Sequence, residues 1–144
     1  FQQLHKPTDN DLKKLFIRGQ YTSGKVDGKK YISYRSEPNV NPDSTTETFA
    51  SGAFFVDSDR FRGVPFFFRT GKRLTEKGTH VTIVFKQMDS IFGEALSPNV
   101  LTIYIQPTEG FSLSINGKEV GEQFSLAPIS FDYRTEATAS GASP

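Results

Sequence analysis

Four cations gather where one apolar run ends. Gly63-Val64-Pro65-Phe66-Phe67-Phe68 leads into Arg69-Thr70-Gly71-Lys72-Arg73-Leu74, and Lys77 follows a few residues later. An apolar run of this length suits one buried strand, and a glycine just past it permits a tight turn. A rigid strand that delivers Arg69, Lys72, Arg73 and Lys77 to one loop can hold an anion, with each lysine acting as a point charge on a phosphate. A surface β-turn carrying solvated cations is the competing reading. The residues by themselves leave both open.

Other chemistry is sparse. His5 and His80 are the only histidines, and neither has metal-ligand spacing around it. Glu47, Asp57, Asp59 and Glu109 have no sequence signal pairing them as a glycosidase dyad. No serine sits in a G-x-S-x-G elbow, and no G-x-G-x-x-G turn or P-loop occurs. The rings beside Arg69 suit core packing better than stacking on single-stranded nucleic acid, because the net charge is only +1 with both signs scattered. Nucleic-acid and membrane-surface partners are therefore not expected. Cysteine is absent, which excludes disulfides and thiolate metal sites. Its absence suits a reducing, cytoplasmic setting. No apolar run approaches the roughly 20 residues that a spanning helix needs.

The elements that must position these residues are mostly strands. Apolar content is 35%, mean hydropathy is -0.43, and the apolar residues are dominated by 14 Phe and 5 Tyr, which favour half-buried pleated surfaces. One short helix is predicted after Thr8, with Thr8 as N-cap and Asp11 at the third helical position. Strands are predicted at Ile17–Tyr21, Thr46–Val56, Val64–Thr70, Val81–Lys86, Leu101–Gln106 and Phe111–Ile115. Asn116-Gly117 reads as a type I′ hairpin turn, with Val120–Leu126 returning. The polar stretch Thr22–Ser44 reads as a long loop, open to either a mobile or a packing role. Short connections favour an antiparallel meander. Phe66, Phe67 and Phe68 put rings on both faces of one strand, so cover must come from lost sequence or another subunit. The ends read as cut, and residues 134–144 read as a mobile tail.

Four ordered blocks resemble the C-terminal domain of the glucose-6-phosphate dehydrogenase family. Ile17-Arg18-Gly19-Gln20-Tyr21 resembles V-R-G-Q-Y, and Ser44-Thr45-Thr46-Glu47-Thr48-Phe49-Ala50 resembles S-x-T-E-T-F-A. Asp57 through Leu74 resembles D-x-x-R-W-x-G-V-P-F-x-x-R-T-G-K-x-L, with Phe61 in place of the usual tryptophan. Leu101 to Gly110 resembles L-x-I-x-I-Q-P-x-E-G.

The resemblance implies an α+β fold with a large, mostly antiparallel sheet and little helix in this piece. Residues 1–144 would be one partial domain, lying after an N-terminal dinucleotide-binding domain that holds NADP (in some members NAD). The family oxidises glucose 6-phosphate to the lactone. By position, Lys72 and Lys77 match its substrate lysines, Gln106 faces the sugar, and Arg69 orients the loop. The family's nucleotide turn and catalytic-histidine block match nothing here, so no catalytic residue is expected and the piece alone should be inactive. Gly78, Thr79 and Thr82 stand where some members place basic residues for a second, structural NADP, so that site is not expected. Assembly through the sheet into a homodimer or higher homo-oligomer is implied. Two rivals remain: a non-catalytic β module binding a phosphorylated sugar, and a purely structural dimerisation domain.

Overall fold

Thr8 closes the first turn of the helix α1 (Asp9–Leu15): its hydroxyl accepts from the Asp11 backbone N–H, and the Asp11 carboxylate accepts from the Thr8 backbone. This is the reciprocal cap read from Thr8 and Asp11. The computed structural model describes residues 4–26, 28–87, 96–121 and 125–135. Within the stretch expected as one partial domain, the chain divides into two compact units, Phe1–Thr75 and Glu76–Pro144.

The first unit is built on three antiparallel strands, β1 (Phe16–Gly19), β4 (Phe49–Phe54) and β5 (Phe66–Gly71), in the order β1-β4-β5. Its interior is a chain of rings. Phe16 lies 5.8 Å from Phe68, Phe54 stacks on Phe66 at 5.2 Å, and Phe61 meets Phe66 edge-on at 5.3 Å. Phe61 therefore fills a ring's place in the packing, consistent with a change of one aromatic for another. Gly52 makes room for Phe16, since a Cβ there would lie 2.6 Å from that ring. Alternation puts Phe66 and Phe68 on the packed face and leaves Phe67 78% exposed, so only one face of the Phe66–Phe68 strand is covered within this unit. Among the described residues only Ala53 and Thr48 are buried, at 6% and 5% exposure.

The polar stretch Thr22–Ser44 is structured. It holds a small hairpin, β2 (Gly24–Val26) with β3 (Lys29–Tyr31), then a 3-10 turn at Tyr34–Ser36. No alternating apolar pattern announces this hairpin, because every residue of β2 is exposed.

The second unit is a four-stranded antiparallel meander, β6 (Thr79–Val84), β7 (Val100–Gln106), β8 (Gly110–Lys118) and β9 (Leu126–Arg134). All pairings between named strands are antiparallel and helix is scarce, as the α+β reading expects, with the strands spread over sheets of three, two and four.

One turn prediction is corrected. Asn116 and Gly117 do not form a hairpin turn; they continue β8 and pair with Pro128 and Ala127 of β9. A type I′ turn needs positive φ at both residues, and neither Asn116 nor Gly117 has it. Asn116 is instead held by long-range bonds, its side-chain amide donating to the Ser97 carbonyl at 2.7 Å and to Asn99 Oδ1 at 3.0 Å. Gly117 leaves space for Ile129, whose Cδ1 would lie 2.3 Å from an added Cβ. The returning strand begins at Leu126, not Val120. It runs through Arg134, which pairs with Gly110 where the tail was expected to start; residues 136–144 lie outside the described residues.

Candidate functional site

Each candidate cation takes its position from a strand end. Arg69 lies on β5 opposite Ser51, on the same exposed face as Phe67. Lys72 is the first residue beyond β5, and its backbone N–H donates to the Thr48 carbonyl at 2.8 Å. Gly71, read as a turn glycine, ends the strand without positive φ. It is small for a different reason: a Cβ there would lie 3.0 Å from both the Thr48 carbonyl and the Phe49 ring. The residue that takes the left-handed conformation is Arg73, at φ 55°.

Arg73 turns away from its neighbours in the cation cluster. Its guanidinium forms an ion pair with Glu37 and lies 5.5 Å and 5.4 Å from the ring centres of Tyr21 and Tyr31, within cation–π range. Tyr21 completes the group by donating its hydroxyl to Glu37 at 3.1 Å. The Arg73 hydrogen bond, aided by Tyr21, holds the Glu37 carboxyl below its ordinary pKa against partial desolvation. No ion pair among the described residues engages Arg69 or Lys72. The loop thus contains one cation in an ion pair, Arg73, and two, Arg69 and Lys72, that no described ion pair engages.

In the second unit, Lys77 and Gln106 share one end of the meander. Thr79, the first residue of β6, pairs with Gln106, the last of β7, and the Gln106 amide donates to Thr79 Oγ1 at 3.2 Å. The register then shifts, with His80 pairing to Tyr104 and Ile105 left without a partner on β6. Such a bulge re-aims the side chain beside it. Gly78 brings the backbone next to Lys77 close over this corner, since its Cβ would lie 3.5 Å from the Gln106 carbonyl. Both Lys77 and Gln106 are exposed.

Two features escape sequence reading. An open polar depression of about 360 Å³ is lined by Arg18, Gly19, Gln20, Arg35, Thr45 and Glu47. Arg18 is paired to Glu47 at 2.7 Å, and Arg35 donates to Gln20 and to the Ser44 carbonyl, so its charges and donors already serve the segment leading into β4. The arrangement braces that segment. The signal for it was present in two blocks, Arg18–Tyr21 and Ser44–Phe49, whose contact no local pattern reveals. Second, His5 Nδ1 lies 3.3 Å from Asp57 Oδ2, but both side chains are more than half exposed and neither lines the depression at Arg18 and Glu47. No cluster of metal-ligating residues occurs among the described residues, and no described helix is long and apolar enough to cross a membrane.

Residues 1–144 match the family described as "Glucose-6-phosphate dehydrogenase, C-terminal domain". The chain is 83% identical over 144 residues to glucose-6-phosphate 1-dehydrogenase of Streptococcus pneumoniae serotype 4, covering all of this chain and 29% of that protein. It is 43% identical over 128 residues to the Bacillus subtilis (strain 168) enzyme of the same name, covering 86% of this chain and 26% of that protein. A solved structure described as glucose-6-phosphate dehydrogenase in complex with its substrate glucose-6-phosphate matches with a TM-score of 0.76 at 32% identity, over 91% of this chain and 26% of that one. Glucose-6-phosphate 1-dehydrogenase from Mycobacterium avium matches with a TM-score of 0.68 at 25% identity, over 94% and 27% of the respective chains. The chain spans less than a third of the length of these relatives. It belongs to the glucose-6-phosphate dehydrogenase C-terminal domain family.

Proposed function

We propose that this chain contributes substrate phosphate binding and self-association to a dehydrogenase that oxidises glucose 6-phosphate to 6-phosphogluconolactone with reduction of NADP. The observation that carries the phosphate reading is Lys72: an ammonium without an ion pair among the described residues, beside a backbone pinned to Thr48, in a loop whose neighbouring Arg73 is already neutralised. As the family resemblance implies, Lys77 is also proposed to bind substrate, Gln106 to face the sugar, and Arg69 to orient the loop. One exposed lysine contributes little by itself; a dianionic phosphate engaged by more than one cation gains charge-assisted hydrogen bonds.

The described residues do not fit a dinucleotide. The one α-helix among the described residues follows no strand of a parallel pair, carries Asp9 and Asp11 in its first turn, and has its N-terminus closed by the Thr8 cap. We assign NADP (or NAD) and the base that removes the substrate proton to parts of the enzyme beyond this chain, as the family resemblance implies. A cytoplasmic setting is proposed with it, in keeping with the absence of cysteine.

Self-association is proposed through the sheet of the second unit. One face of the meander carries Val81, Ile83, Ile103, Phe111, Phe131 and Tyr133, each 40% exposed or more. A contiguous apolar face of this kind calls for cover. The opposite face is polar, with Thr82 and Thr102 hydroxyls 3.2 Å apart.

The deciding experiment is NADP reduction by the full-length enzyme that carries this domain, with glucose 6-phosphate and with glucose. Reduction that requires the phosphate is expected. No reduction with either sugar from a folded protein would favour a non-catalytic module instead.

A further inference from the structure

We propose that Arg73 is a positioning residue: it locks the loop that presents Lys72 to the substrate phosphate, and does not touch the phosphate itself. The inference rests on the reading of Lys72 as a phosphate ligand.

The backbone is held on both sides of the Lys72 side chain. On one side, Thr48 is the anchor: it is 5% exposed, its N–H donates to the Gly19 carbonyl at 2.8 Å, and its carbonyl accepts from Lys72. Its hydroxyl accepts from the Tyr21 N–H at 3.0 Å, so the same residue fixes Tyr21. On the other side, Arg73 is held by Tyr21, Tyr31 and Glu37. Tyr21 therefore belongs to both halves of the brace, and Lys72 sits between them.

The conformation needs this brace. A non-glycine residue at φ 55° is strained, and such a geometry persists only where surrounding contacts over-determine it. Here the guanidinium lies against two rings, and Glu37 supplies the counter-charge. Glu37 is 36 residues away in sequence, beyond the hairpin that delivers Tyr31. The polar stretch between Thr22 and Ser44 thus carries two of the partners that hold the basic loop, Tyr31 and Glu37. Arg73 engaged in this way has its charge satisfied, which distinguishes it from Arg69 and Lys72.

The test is steady-state kinetics on the full-length enzyme with Glu37→Gln, Arg73→Ala, Arg73→Lys and Lys72→Ala, following KM for glucose 6-phosphate, KM for NADP and kcat separately. Glu37→Gln keeps size and removes the counter-charge, so it remains informative if Arg73→Ala fails to fold. Loosening the loop should raise KM for glucose 6-phosphate by roughly fivefold or more in both variants, with KM for NADP and kcat within about twofold. Arg73→Lys should recover only part of the loss, because an ammonium cannot lie as a planar fork against Glu37 and two rings.

Direct phosphate contact by Arg73 gives the opposite sign at Glu37. Removing its partner would free the cation, and KM in Glu37→Gln would fall or stay unchanged while Arg73→Ala raised it. That pattern overturns the proposal. So does a raised KM in Lys72→Ala with no change in the Arg73 or Glu37 variants, which leaves the phosphate reading standing. An unchanged KM in Lys72→Ala overturns the phosphate reading and this inference with it.

Discussion

The Thr48 carbonyl accepts the Lys72 backbone N–H at 2.8 Å, tying the end of the loop before β4 to the first residue after β5. The contact closes the β4–β5 ladder one residue beyond the Phe49–Gly71 pair. It fixes where the Lys72 side chain starts, and leaves its ammonium free to reach an anion. A fixed backbone beneath an exposed ammonium suits the proposed phosphate role, because entropy lost in ordering the backbone is spent at folding and not at binding.

Lys72→Ala in the full-length enzyme should raise KM for glucose 6-phosphate by about tenfold or more, since losing a charged hydrogen bond costs roughly 1.5–3 kcal/mol. The unfolding transition should be unchanged, because the side chain is exposed. An unaltered KM removes Lys72 from the site.

Glycine substitutions should separate by what the new methyl meets. Gly110 has φ 147°, and its Cβ would lie 2.0 Å from the Tyr133 carbonyl, a backbone atom that cannot yield without parting β8 from β9. Gly110→Ala should destabilise by about 2 kcal/mol or more. Gly117→Ala meets only the mobile end of Ile129 and should cost less than about 1 kcal/mol. Urea unfolding of the two variants checks the order, and equal midpoints would refute the close approach at Gly110.

Acid should open the Arg73 brace. Glu37 has its carboxyl pKa depressed by Arg73, so its contribution is complete above the carboxylate's ordinary value and fades as pH falls through the lowered one. The chain has no tryptophan and five tyrosines, so tyrosine fluorescence, to which Tyr21 and Tyr31 contribute, can be followed within this domain. A transition on the acid side of the usual carboxylate range is expected, and Glu37→Gln should lack it. The same transition in that variant would assign it to another group.

Self-association is proposed through the apolar face of the meander. Sedimentation velocity across micromolar concentrations should show a species larger than the 16.1 kDa chain. Phe131→Lys, placed on that face where the side chain is 51% exposed, should shift the balance toward monomer. A monomer at every concentration would count against the proposed interface.

Residue order alone carried β5 as an apolar run, and placed β9 too early, at Val120–Leu126. It also carried β6, β7 and the first half of β8, because alternation of Val, Ile, Leu and Phe with Thr and Ser has the same period as the pleat. It carried the Thr8–Asp11 cap, whose partners are three residues apart. The basic cluster at Arg69–Lys77 was visible for the same reason: its members are neighbours in the chain. What tertiary structure decided involves partners far apart. Whether Asn116-Gly117 turns or extends depended on Asn99 and Ile129; the role of Gly71 depended on Thr48; and the division of the cations into one neutralised and others exposed depended on Glu37, Tyr21 and Tyr31. Local propensity ranks what a segment can do, but contacts made across tens of residues contribute comparable energies and choose among those options.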